Sequence, residues 1–482
     1  MDKHLYKVMV ELKLYSYGPK TTVSHGGVDV EIGPDIFIAV EGFGTFEGVS
    51  VERRVSKMLA EGKDLYKSAR KIHRDSTARG HASITTSLQI QMEVRDCSRA
   101  LSLLLVAPPF GSYLQESQRR AKVDRTSFID VKNLSGDLEK FFEETVDELF
   151  EGYSTLVEQG VGIEDARYIL PLCTKTSLFI STSLENYIAL LQLSRNGEAI
   201  QYVPFEISEF AEKFEKMIRE ISPVLLDARL CFGNRTTTYP YPNPYKPDDG
   251  VMQAIISRNG YPEEPVLLDV SSLINNGAVL DEVLAAQQKE VFDTVNPLAT
   301  ATVLEPMSLV AYHQAIRHRT VPTAVESIYS AAERALKNIE ANVIVPPAVK
   351  KDEKLRSLFY GLASKAIRAY GELLKSGCRP STAVLIIPQA LRLYVVRLYN
   401  GFNLLHPTGF IATRTCKYAQ WEERGIAYKI MYDVVKAAPA LSTVMGEKCR
   451  HLRYCPEKEW CPIILKYHHY SDELHKRYME SG

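Results

Sequence analysis

Apolar residues recur at helical spacing in two long stretches of the chain. Phe142, Val146, Leu149, Tyr153 and Leu156 follow one another at three or four positions, which places them on one face of a helix. Gly160 stands where a left-handed residue would end that helix. Leu355, Leu358, Leu362, Ile367, Tyr370 and Leu374 make a second such face, closed by Gly377. The strand signals are shorter: Val8, Val10, Leu12 and Leu14 alternate with other residues, and residues 88–94 read as a strand. A helix-like run covers residues 51–73, and the glycine-marked loop Ala78-Arg79-Gly80-His81-Ala82-Ser83 follows it. A third helical pattern, Leu309, Val310 and Ile316, runs into the basic triplet Arg317-His318-Arg319, and Pro322 is expected to stop it. The pattern predicts an α+β chain, helix-rich with small sheets.

The same plan occurs twice. Gly160 precedes Pro171 by 11 positions and Gly377 precedes Pro388 by 11; Arg195 precedes Gln201 by 6 and Arg414 precedes Gln420 by 6. The offset between halves drifts from 210 (Ser117 to Ser327) through 217 (the prolines) to 219 (the glutamines), as a tandem duplication with small insertions would give. Residues 1–235 and 251–482 are then two mixed α/β copies. Residues 236–250, rich in proline and tyrosine, read as a stiff linker.

Composition narrows the function classes. A formal net charge of −1 over 482 residues gives no basic field, so no nucleic-acid partner is expected. The longest apolar run, residues 101–110, is broken by Pro108 and Pro109, so no membrane span is expected. With no apolar leader at the N-terminus, the expected location is the cytoplasm. Eight cysteines in so long a chain are not a disulfide framework, but Cys449, Cys455 and Cys461 crowd the tail. With Cys416 as a fourth thiolate they could hold zinc or an iron–sulfur cluster. Their spacing matches neither a zinc knuckle nor a ferredoxin run, and free cysteines or a disulfide are the alternative.

Two sets of residues carry candidate chemistry. Arg317 and Arg319 are guanidinium forks that match phosphate oxygens, with Gln314 one turn back and Glu326-Ser327 on the next segment. The alternative is a cationic last turn that complements a helix dipole. Ser117 and Gln118 offer short donors, and Arg119 and Arg167 offer positive charge for a phosphate dianion. Here the alternative is a solvated charged turn.

In matching order, these motifs resemble the flavin-dependent thymidylate synthase family. The second half has Arg317-His318-Arg319, Asn403 and Ala419-Gln420-Trp421-Glu422, but Tyr329 and Val384 stand where the family has arginines. The first half has Gly80-His81, Glu116-Ser117-Gln118-Arg119, Arg167 before Leu170-Pro171, and Arg195 before Gln201. Its triplet position reads Ala107-Pro108-Pro109, and linear counting places Leu184 at the family asparagine.

The resemblance implies FAD held by Arg317, His318, Arg319 and Asn403, with His81 and Ser83 near it. It implies dUMP held by Ser117, Gln118, Arg119 and Arg167, with Gln314 and Ser327 as further nucleotide contacts and Arg414 and Arg195 at the uracil. NADPH and methylenetetrahydrofolate would be co-substrates in making dTMP. Because family members are homotetramers with junctional sites, a homodimer of this chain would form a pseudo-tetramer. Sites would then be composite between copies. Two rival readings are a flavin enzyme acting on another pyrimidine nucleotide, and a catalytically degenerate paralogue that serves as scaffold or sensor.

Overall fold

The structure is a computed structural model. It describes residues 10–44, 48–131, 134, 136–233, 239–247, 249–274, 277–288, 295–452, 454–457 and 459–466. Val8 and residues 236–238 and 248 of the expected linker lie outside the described residues. Among the described residues there are ten strands: β1 (Glu11–Gly18), β2 (Thr21–His25), β3 (Val28–Ile32), β4 (Gln89–Ser98), β5 (Gly111–Gln115), β6 (Lys175–Ser183), β7 (Val266–Ser272), β8 (Ala299–Ser308), β9 (Thr323–Val325) and β10 (Arg392–Asn400). Helices make up most of the remaining elements, and the class is α+β.

The chain folds into two compact units. One holds Met1–Asp248 with Ser327–Leu391, and the other holds Asp249–Glu326 with Arg392–Gly482. The first contains an antiparallel sheet of order β1-β4-β6-β5, and the second an antiparallel sheet of order β7-β8-β10-β9. The two sheets share one topology, which the tandem repeat predicts. The units are not the two sequence copies, however, because residues 327–391 of the second copy fold with the first.

The two long helices explain that exchange. The Asp137–Glu158 helix buries Phe142, Val146, Leu149, Tyr153 and Leu156, the stripe its spacing predicts. The Glu353–Lys375 helix buries Phe359, Ala363, Ile367 and Tyr370, so its most enclosed stripe is rotated slightly from Leu355, Leu358 and Leu362. They pack against each other within the first unit. Gly152 permits the close approach: a Cβ there would lie 2.2 Å from Leu362 Cδ1. Gly160 and Gly377 both have positive φ, 84° and 82°, and end the helices in the same way. The Val161 N–H donates to Leu156 O at 3.0 Å and the Cys378 N–H to Leu373 O at 2.9 Å, which satisfies carbonyls the helix leaves open.

Just beyond each helix, the two proline-bearing segments run antiparallel. Pro171 bridges Pro388, the Cys173 N–H donates to Leu385 O at 2.8 Å, and the Gln389 N–H donates to Leu170 O at 2.9 Å.

Two local expectations change. The run over residues 51–73 is two helices, Val51–Ala60 and Leu65–Asp75. Gly62 at φ 65° turns the chain between them, and the Asp64 side chain caps the second. The triplet does not form a last helical turn, since the helix before it, Leu309–Ala315, ends with Ile316 as its C-cap.

Candidate functional site

In the first unit, the predicted phosphate ligands come together. Arg119 follows the end of β5, and Arg167 lies in the short helical turn after Ile163–Ala166. Glu164 joins them: Arg119 Nε is 2.6 Å from Glu164 Oε1, and Arg167 Nε donates to Glu164 O at 3.0 Å. Arg167 is buried, and its Nη2 has no hydrogen-bond partner among the described residues. Burial pushes the Arg167 pKa down, and the nearby Arg119 cation adds to the effect. Gln118 is also buried, with neither amide atom partnered among the described residues. Ser117 is exposed at the edge, where its Oγ accepts from the Arg119 N–H at 3.3 Å. Two guanidiniums, one carboxylate and an amide without partners among the described residues give a wall with surplus positive charge and unsatisfied donors. An acceptor-only dianion complements such a wall.

His81 and Ser83 are set apart from this group. They line a cavity of about 510 Å³ with Ile38, Glu41, Gly42, Asp75, Ser76, Ile84 and Ser87. Arg195 lies elsewhere, on the surface, where it pairs with Glu215, which Arg219 also holds. Ser327 is fully buried: it caps the Ile328–Lys337 helix and its hydroxyl donates to Lys246 O at 2.6 Å. That hydroxyl has a structural task within the first unit.

In the second unit, the triplet and Arg414 meet. Arg414 ends the short Phe410–Arg414 helix, and its Nε donates to His318 Nε2 at 2.8 Å. The same Nε is 3.0 Å from Glu423 Oε2, and Glu423 is fully buried. His318 therefore accepts through Nε2 as a neutral imidazole. Burial holds its pKa well below the ordinary value, and the Arg414, Arg397 and Arg317 cations push the same way. The ring packs edge-on to Phe410, with centroids 5.2 Å apart. Arg317 Nε donates to His313 O at 3.0 Å, and Arg319 lies in the turn that leads to β9. Gln314 Nε2 is buried without a hydrogen-bond partner among the described residues.

Beside this group is an ion pair that the sequence did not announce. Arg397 on β10 donates from Nε to Glu305 Oε2 on β8 at 2.8 Å, and Tyr399 donates its hydroxyl to Glu305 Oε1 at 2.6 Å. Both ion-pair side chains are fully enclosed. The Arg397 guanidinium lies 4.7 Å from the Phe410 ring centre, and its Nη1 lacks a partner among the described residues.

Asn403 ties the triplet loop down. Its Nδ2 donates to Thr320 O at 3.1 Å and to Asn400 Oδ1 at 2.8 Å. The first unit repeats the clamp with Asn186, whose Nδ2 donates to Phe110 O at 2.6 Å and to Thr182 Oγ1 at 2.7 Å. Asn186, not Leu184, is therefore the counterpart of Asn403. Counting back by the proline offset of 217 would have found it. A second repeated device is a carboxylate. Glu206 accepts from the Ser98 N–H at 2.9 Å and from the Ser98 hydroxyl; Glu422 accepts from the Ser308 N–H and hydroxyl, both at 2.6 Å. Gln420 caps the Trp421–Ala437 helix, accepting from the Glu422 and Glu423 N–H groups at 2.9 and 3.0 Å.

Cys416, Cys449, Cys455 and Cys461 line one small cavity in the second unit, and all are free thiols. Among the described residues no group of three or more His, Cys, Asp or Glu side chains could hold a metal ion, so these four cysteines do not form the zinc or iron–sulfur site expected of them. Also among them, no helix is long and apolar enough to cross a membrane.

Comparison with known proteins follows the two sequence copies, not the two units. The family model described as "Thymidylate synthase complementing protein" matches twice, over residues 47–224 and 253–440. The flavin-dependent thymidylate synthase of Pyrococcus abyssi is 32% identical over 167 residues, 33% of this chain and 65% of that protein. That of Saccharolobus solfataricus is 32% identical over 148 residues, 30% of this chain and 53% of that protein. The chain thus spans less than two thirds of these relatives' length. A crystal structure of the UMP/dUMP methylase PolB from Streptomyces cacaoi, bound with 5-Br dUMP, aligns over 48% of this chain and 97% of that one. Its identity is 20% and its TM-score 0.35, too low to carry an argument.

Proposed function

Because the chain belongs to the thymidylate synthase complementing protein family, we propose that it methylates the pyrimidine of dUMP to give dTMP. FAD would be its flavin, methylenetetrahydrofolate its carbon source and NADPH its reductant. The observation that carries this reading is the first-unit cluster. Among the described residues, Arg167 is buried with an open Nη2, Arg119 lies beside it, and Gln118 is buried with both amide atoms unpartnered. A phosphate dianion would supply the acceptors this wall lacks, and Ser117 at its edge would add a hydroxyl donor.

The donor set of the second unit suits a flavin. Arg317 and Arg319 bring positive charge, and Gln314 has a buried, unpartnered amide nitrogen. When bound, the flavin supplies the hydride. Arg414 is held by His318 and Glu423, so its guanidinium has a fixed direction in which to stabilise negative charge on a pyrimidine carbonyl. Asn403 acts by holding the triplet loop, since its amide atoms are engaged with Thr320 and Asn400. His81 and Ser83 would meet the flavin through the 510 Å³ cavity, whose Glu41 and Asp75 suit a ring or a polyol better than a pyrophosphate.

The motif split supports composite sites, with nucleotide ligands from the first copy and flavin ligands from the second. A cytoplasmic homodimer acting as a pseudo-tetramer would supply both. The test is dUMP binding by calorimetry together with the flavin spectrum of the purified chain. Arg167→Met should abolish dUMP binding and leave flavin absorption intact. Arg317→Ala should do the reverse. A chain that takes up neither ligand on reconstitution ends the proposal. The position of Arg195, in a surface ion pair instead of near a histidine, favours a second reading for the first copy alone: it has lost its own uracil contact and is catalytically degenerate.

A further inference from the structure

The second copy carries its own counterpart of the phosphate wall, and that counterpart lies in the first unit. Residues 327–329 match residues 117–119 at the offset of 210, and the Val384–Ile386 turn matches the Arg167–Ile169 turn at 217. The residue types have changed at almost every position. Ile328 stands for Gln118, Tyr329 for Arg119, Ser381 for Glu164 and Val384 for Arg167; only Ser327 keeps its kind, matching Ser117. All five residues of the second set are buried. Neither guanidinium has a cationic replacement, and Ile328 and Val384 offer no side-chain donor at all.

The path of the chain explains what fills the space. After Ser117 the first copy makes a turn, in which the Arg120 and Ala121 N–H groups both donate to Ser117 O at 3.2 Å. After Ser327 the second copy enters a helix at once, and Ile328, Tyr329, Ala331, Ala332 and Ala335 form its buried face. Two hydroxyls there are already spent: that of Ser327 donates to Lys246 O, and that of Tyr329 donates to Tyr202 O. The Tyr329 and Tyr202 rings stand edge-on, with centroids 5.5 Å apart. Tyr202 belongs to the first copy, so both copies make the closure. A dianion entering here would have to break these bonds and would meet no counter-charge from the matched residues. A buried charge without a partner is strongly disfavoured.

We propose that this place is a second phosphate site closed by the protein's own side chains, so that each chain binds one nucleotide phosphate, at Arg119 and Arg167. The inference rests on the phosphate reading of that wall and adds its stoichiometry. The two places differ in what burial has left unsatisfied. At the first, Arg167 Nη2 and the Gln118 amide lack partners among the described residues; at the second, the Ser327 and Tyr329 hydroxyls have carbonyl acceptors. Unsatisfied buried donors call for a ligand that supplies acceptors, and satisfied ones do not. Tyr329 has a positioning role in the closure: its ring stands where the first copy has a cation, and its hydroxyl fastens the second copy to the residue that follows Gln201.

Calorimetric titration of the full chain with dUMP should saturate at one nucleotide per chain, and Arg167→Met should bind none. Tyr329→Phe should keep one nucleotide at unchanged affinity while its Tm falls by about 2–8 °C, since the Tyr202 carbonyl loses the Tyr329 hydroxyl. Two nucleotides per wild-type chain, or one still bound by Arg167→Met, would overturn the proposal and leave dUMP binding itself intact. A folded Tyr329→Phe that no longer binds dUMP would also overturn it, because Tyr329 would then belong to a working site. Should Tyr329→Phe fail to fold, the wild-type stoichiometry and Arg167→Met decide the matter alone. Wild-type protein that takes up neither dUMP nor inorganic phosphate overturns the phosphate reading and this inference together.

Discussion

The asparagine clamp and the carboxylate clamp are built twice, while Arg195 and Arg414, which stand at matching places in the two copies, are built two different ways. Asn186 and Asn403 each donate to the carbonyl of the loop beside them, and Glu206 and Glu422 each grip a serine at the end of a central strand. These interactions hold the backbone of the unit, so the duplicated sequence keeps them in both. Arg414 instead lies against His318 and the buried Glu423, whereas Arg195 faces solvent with Glu215 and Arg219. The first copy has Pro108 at the triplet's histidine position, so no imidazole is there to receive its arginine. Scaffold and chemistry have thus come apart: both copies retain the frame, and only the second retains the inward arginine.

The largest break in that comparison should come from Glu305, which only the second unit possesses. Glu305→Gln would leave the buried Arg397 cation without its counter-charge. A loss of about 3–5 kcal/mol is expected, as when one partner of a buried pair is removed. Guanidinium denaturation measures it. Replacing both partners, Glu305→Gln with Arg397→Met, should recover part of the loss, because no lone charge then remains buried. A single variant as stable as wild type would mean the pair does not hold the second sheet.

The shared clamps should respond alike. Glu206→Ala and Glu422→Ala each strip the partners from a buried serine N–H and hydroxyl. Each should cost about 1–3 kcal/mol, the range for orphaned buried groups. Denaturation of the two variants side by side tests equivalence. A large cost in one and none in the other would deny that the clamp is a repeated device.

Legibility in the sequence followed the range of each interaction. The two long helices and their terminal glycines were readable because a stripe such as Phe142, Val146 and Leu149 repeats within a few turns. The division of 51–73 into two helices was also written locally, in Gly62 and Asp64, but the apolar spacing across them masked it. The serine–glutamate clamps were not readable. Glu206 and Glu422 sit in the first turn of a helix, where an acid usually just complements the dipole, and their serines lie 108 and 114 residues away. The same distance hid Glu305 and Arg397, each an ordinary charged residue on a strand until the sheet pairs them 92 residues apart. That Arg119 and Arg167 would lie together at Glu164 was legible because motif order carried them; that Ser327 would be spent on a helix cap was not.

Acid should separate the units further. His318 is neutral in the fold, its pKa held well below an ordinary imidazole value of 6.5 by burial and then by Arg414. The unfolded chain therefore binds the proton first. Stability from this site is full above the unfolded value and is lost as pH falls below it, toward the folded one. His73, also lowered, and His451, lowered to about 4, act with the same sign. Denaturation midpoints measured from about pH 7 down to about pH 5 should fall, and His318→Asn should flatten the slope without abolishing it. A slope unchanged in that variant would mean His318 is already protonated in the fold, and then it could not accept from Arg414.

The smallest effect belongs to Arg195, and its smallness is the informative result. Its side chain is 43% exposed, and its partner Glu215 keeps Arg219 when Arg195 is removed. Arg195→Ala should change stability by about 0–1 kcal/mol, the ordinary worth of a surface pair. If the first copy has lost its own base-reading arginine, dTMP formation should also be nearly unchanged in that variant and abolished in Arg414→Ala. Equal losses of turnover in the two, with both proteins folded by circular dichroism, would show that Arg195 leaves its surface partner to reach a substrate. The two copies would then be functional equals after all.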